Sequence, residues 1–62
     1  MQAQIAASLR HLKEAAAHLS EAAQAIADAD KVEAANIEQL LQLVRAEIVT
    51  LAGMVGPDNP EN

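Results

Sequence analysis

Apolar residues recur along the first half of the chain at Ile5, Leu9, Leu12, Ala16, Leu19, Ala23 and Ile26, in steps that alternate between four and three. That alternation averages about 3.5 residues, half a heptad, the period of a helix lying lengthwise against another helix. Large side chains fill a stripe roughly 100° wide on the helical wheel. Alanines border it. Ala15, Ala22 and Ala29 repeat every seven residues along one edge, and Ala6 and Ala27 lie along the other. Side chains this small let helix backbones approach closely. Strong helix formers dominate the segment, and no Gly or Pro occurs before Gly53, so a helix is expected over about 2–29.

A second apolar series follows at Ile37, Leu41, Val44, Ile48, Leu51 and Val55, again in steps of four and three. Leu40, Leu43 and Met54 widen this stripe to roughly 160°. Asn36 and Glu47 fall at its edge, and Val49 lies on the far side. Asp30 is placed to cap the helix, with Glu33 three residues later as the reciprocal partner of a capping box. Gly56-Pro57 stops the helix, because Gly accepts the left-handed cap and Pro cannot continue the ladder; Gly53 offers an earlier stop by one turn. The second helix is therefore expected over about 31–55, within a helical domain over 1–56. Residues 57–62 read as a disordered acidic tail.

Between Ile26 and Ile37 the stripe is empty of large apolar groups for eleven residues. A continuous helix over 2–52 absorbs such an interval as a stutter. It then places Asp30 and Glu33 on the apolar face and turns Val32 away from it. A turn near Asp28-Ala29-Asp30 removes that conflict and accounts for the cap. The pattern favours an all-α helix-turn-helix hairpin over the single long helix.

Composition makes a lone hairpin a weak fold. There are 62 residues, with no cysteine and no aromatic side chain, and fifteen of the apolar residues are alanine. Aromatic rings usually supply much of a small core, and neither a disulfide nor a cysteine-based zinc site is available. Ordering each residue costs about 1.5 kcal/mol, which so short a chain rarely offsets alone. Oligomerisation is the remaining staple. The hairpin is thus expected to assemble into a dimeric four-helix bundle or a higher helical oligomer. Ile5, Leu9, Leu12, Leu19, Ile26, Ile37, Leu41, Val44, Ile48 and Leu51 are the expected interface. The wider stripe of the second helix, at Leu40, Leu43, Glu47 and Met54, is the expected surface for a partner.

The formal net charge is −5. Nucleic-acid binding draws on basic surface to release counterions from phosphates, and only four Lys and Arg are present. DNA is excluded as an expected partner, RNA is disfavoured, and an anionic membrane is not attracted. The N-terminus lacks the basic segment and long apolar run of a signal peptide. The longest apolar stretch, near Ile48 to Val55, is about half of the ~20 residues that span a bilayer. A cytoplasmic location is the default expectation.

His11, Glu14 and His18 share one helical side and suggest a metal site at first sight. The two histidines are two turns apart, roughly 10 Å, too far to hold one ion together. A solvated polar face is the reading preferred, with no metal and no cofactor expected. Arg10, Lys13 and Arg45 are candidates for holding a small anion, such as a nucleotide, between subunits. No Gly-rich phosphate loop or stacking aromatic accompanies them. Ser8, Ser20 and Thr50 belong to no arrangement with His and Asp that activates a nucleophile, so no catalytic residue and no enzymatic activity are expected.

The short length, the Asp28-Ala29-Asp30 turn, the Ile37 and Leu41 that follow it, and the Gly-led acidic tail resemble the Rop family of plasmid copy-number regulators. That resemblance implies an antiparallel four-helix bundle built from two hairpins. It also implies RNA recognition by a helix-1 face bearing basic, amide and aromatic groups. This chain lacks the aromatic residues and most of the cations, so the architecture carries over and the RNA activity does not. The expectation is a small acidic homo-oligomeric interaction module. It would bind itself and another protein as an inhibitor, adaptor or assembly factor, of a kind that phages and mobile elements encode.

Overall fold

A computed structural model describes residues 2–55, which form two helices, α1 (Gln2–Ile26) and α2 (Lys31–Val55). They pack against each other as an antiparallel hairpin. A continuous helix over the same residues would be about 80 Å long at 1.5 Å per residue. The longest extent of the molecule is 48 Å. The hairpin is the arrangement adopted. The Gly56-Pro57 stop and the acidic tail lie outside the described residues.

The first helix ends three residues sooner than its composition suggests. Ala27, Asp28 and Ala29 form a turn, although alanine favours helix. Hydrogen bonding explains the stop. The Ala29 N–H donates to the Ile26 carbonyl at 3.0 Å, and the Asp30 N–H donates to the same carbonyl at 2.8 Å. One acceptor takes both donors, the final turn tightens, and the chain reverses.

Asp30 then starts α2. Its side-chain Oδ1 accepts from the Glu33 N–H at 3.0 Å, and its carbonyl accepts the first helical bond, from the Ala34 N–H at 3.0 Å. This is the N-cap expected of an aspartate. The reciprocal half of the capping box is not made. The Asp30 N–H is already committed to Ile26, and Glu33 Oε1 instead meets Asn36 Nδ2 at 3.5 Å. At the other end, α2 runs through Gly53 without stopping.

Residues equidistant from so short a turn lie level across the hairpin. Ala23 is level with Ala34, Ala16 with Leu41, and Leu9 with Ile48; Leu19 meets Ile37 and Leu12 meets Val44 within one residue. Small side chains therefore face small ones beside the turn, and a small one faces a large one at mid-length. The burial follows. Ala23, Ala34 and Leu41 are the buried residues, at 2%, 8% and 5% exposure. The remaining stripe residues of both helices, from Ile5 to Ile26 and from Ile37 to Val55, are half-buried.

Candidate interaction surface

The two stripes are used within one chain. Every residue of the α1 series and every residue of the α2 series is buried or half-buried in the hairpin. Ile5, Leu9, Leu12, Leu19, Ile26, Ile37, Leu41, Val44, Ile48 and Leu51 thus form first the contact between the chain's own helices. Leu41 is buried there, and the half-burial of the others leaves one flank of each uncovered.

The residues that widen the α2 stripe stand apart from them. Leu40 is 53% exposed, Leu43 69% and Met54 56%, and Glu47 is exposed among them. Val32 is exposed as well. Successive residues rotate by 100° around a helix, so this group lies roughly 100° around α2 from the half-buried stripe. It forms a separate face. On the same side of the hairpin, α1 presents Ala15 and Ala22, which add little bulk. The opposite side carries Lys13, Lys31, Glu38 and Arg45. The exposed large apolar residues of α2 thus gather on one side of the hairpin, among Asn36, Glu47 and Thr50, and the basic residues gather on the other. Val49 stands alone on the charged side of α2, which is ordinary for a single apolar residue.

The histidine cluster separates into two pairs. His11 Nδ1 lies 3.8 Å from Glu14 Oε1, and His18 Nδ1 lies 3.8 Å from Glu21 Oε1. Glu14 serves His11, and His18 takes a different carboxylate that the metal reading had not included. The signal was present: a His-x-x-Glu spacing repeats after seven residues, placing both pairs on one exposed side of α1. The separation exceeds hydrogen-bond length, and all four side chains are largely exposed. Among the described residues no three His, Asp or Glu side chains gather closely enough to hold a metal ion.

Lys13 and Arg45 fall nearly level across the hairpin, so the structure brings these two cations to one side. Arg10 projects further around α1. None of the three has a carboxylate within ion-pair distance among the described residues. The described residues enclose no cavity, and no helix among them is long and apolar enough to cross a membrane. Comparison with protein families, curated proteins and solved structures finds no match for this chain.

Proposed function

We propose that this protein is a helical association module, which acts by packing the apolar side of α2 against a helix of another polypeptide. The observation that carries this reading is the exposure of Leu40, Leu43 and Met54 on one helix side, next to stripes the chain has already paired. Burying a side chain of this size contributes roughly 1.5–3 kcal/mol relative to leaving it in water. Three such residues in a row supply a docking energy that scattered surface leucines do not. The alanines on the same side of α1 permit close approach. The net charge of −5 keeps the free form soluble and disfavours nonspecific contact with nucleic acid.

The test compares two immobilised baits, the natural chain and the Leu40→Glu/Leu43→Glu double variant. Bound polypeptides, including copies of the chain itself, are identified by mass spectrometry. The reading expects a polypeptide held by the natural chain and released by the variant. Identical retention by both baits overturns it.

A further inference from the structure

The exposed side of α2 carries a heptad seam of its own. Asn36, Leu40, Leu43, Glu47, Thr50 and Met54 follow one another in steps of four, three, four, three and four, and Val32 precedes Asn36 by four. All are exposed. A helix with two seams about 100° apart has two helical neighbours to satisfy, and the hairpin supplies one.

We infer that the second neighbour is α2 of another copy of this chain, packed antiparallel about a two-fold axis at Leu43. This rests on the association reading above and names its partner. The seam is close to symmetric about Leu43. Val32 and Met54 stand eleven residues away on either side, and Asn36 and Thr50 stand seven away. An antiparallel pair centred on Leu43 sets Leu43 against its own counterpart. It sets Val32 against Met54 of the other copy, apolar on apolar, and Asn36 against Thr50, amide on hydroxyl. The Thr50 hydroxyl donates to the Ala46 carbonyl at 3.1 Å, which leaves its oxygen free to accept from the Asn36 amide.

Charge decides between the two directions. A parallel pair in register sets Glu47 directly against Glu47 and Asn36 against Asn36. An antiparallel pair moves each Glu47 four residues off the axis, about 6 Å at 1.5 Å per residue. Each carboxylate then lies level with Gln39 of the other copy, whose amide is a donor, while Leu40 lies level with Ala46. Like charges in contact disfavour the first arrangement and are absent from the second. A self-association interface with two-fold symmetry requires this kind of self-complementary patch. The three buried residues of the lone hairpin also leave most of its apolar surface without cover.

The chain has no cysteine, so single introduced thiols report position cleanly. Four variants are oxidised under mild conditions and resolved by denaturing electrophoresis: Leu43→Cys, Asn36→Cys, Thr50→Cys and Val49→Cys. Each replaces an exposed residue, and helical circular dichroism confirms folding. Leu43→Cys is expected to form a disulfide-linked species of twice the chain mass. Asn36→Cys and Thr50→Cys are expected to stay single alone and to cross-link when mixed. Val49→Cys is expected to stay single. Cross-linking of Asn36→Cys with itself indicates a parallel pair and overturns the inference, as does equal cross-linking at Val49. Native mass spectrometry of the natural chain separates the two levels of failure. A dimer that does not cross-link at Leu43 overturns this register and leaves the association reading standing, whereas a monomer at tens of micromolar overturns this dimer, while the bait comparison still judges a foreign partner.

Discussion

The carboxylate of Asp30 accepts a hydrogen bond from the backbone N–H of Glu33 at 3.0 Å. It thereby starts α2 at the point where the Asp30 N–H closes α1 on the Ile26 carbonyl. One residue ends one helix with its backbone and begins the next with its side chain. Asp30→Ala is expected to cost about 1 kcal/mol, the usual loss for an N-cap. Asp30→Asn and Asp30→Ser retain the acceptor and should restore most of it. Thermal unfolding followed by far-ultraviolet circular dichroism ranks the three. Equal melting of the alanine variant and the natural chain would falsify the capping role.

Leu41 and Leu43 are two positions apart and differ in surroundings. Leu41 is 5% exposed and Leu43 69%. Leu41→Ala should destabilise the hairpin by about 2–5 kcal/mol, the range for a buried leucine. Leu43→Ala should leave the isolated hairpin within about 0.5 kcal/mol, as for a surface change. Urea titrations at low protein concentration measure both on the isolated hairpin. A large loss at Leu43 under dilution would place its contacts within the chain.

Ala23 lies level with Ala34 beside the turn, and both are buried. The gap between the helices there is set by methyl groups. Ala23→Leu has no room without moving the helices apart, and overpacking of this kind costs about 1–3 kcal/mol. Ala25, nearly opposite on the α1 wheel and exposed, should accept leucine with little change. A melt of Ala23→Leu at or above the natural temperature would show that the turn end is loosely packed.

Gly53 sits within α2, and a Cβ built on it meets nothing within 4 Å. Glycine in a helix interior is less favourable than alanine by about 0.5–1 kcal/mol. Gly53→Ala should therefore raise stability by up to that amount, with added helical signal from the last turn. Loss of stability would mean that the glycine serves a contact absent from the hairpin.

Each His–Glu pair offers only two ligands, held 3.8 Å apart on an exposed surface. Zinc at equimolar concentration, or a chelator, should leave the thermal transition unmoved. A zinc-dependent rise in melting temperature would require ligands shared between chains.

Much of this fold is legible in the residues themselves. The two alternating series mark the faces that pair, because a fixed rotation per residue converts spacing into direction. Asp30 marks the second helix start, because a short acceptor followed by helix formers has one economical use. The end of α1 is less visible. Ala27 and Ala29 are good helix formers, and the stop depends on Ile26 accepting two donors at once, a relationship that appears only when the turn closes. The helix runs to Val55 as its apolar series predicts, and the earlier stop offered by Gly53 is not taken. The pairing of His18 with Glu21 was readable from its repeat with His11 and Glu14. The surface at Leu40, Leu43 and Met54 is visible as excess width in the pattern. Its occupant is not, because that information lies in another polypeptide or in the symmetry of the seam.

The turn at Ala27–Ala29 brings the two outer helix ends together. Gln2 and Val55 stand at one tip of the rod, about 38 Å from the bend at 1.5 Å per residue. Anything joined to either end is carried at that tip, and the bend stays clear. A fluorescent fusion or an affinity handle therefore suits both ends equally and leaves the flank of α2 open. In a two-fold pair the tips point in opposite directions, so the assembly would hold two cargoes apart as a short strut.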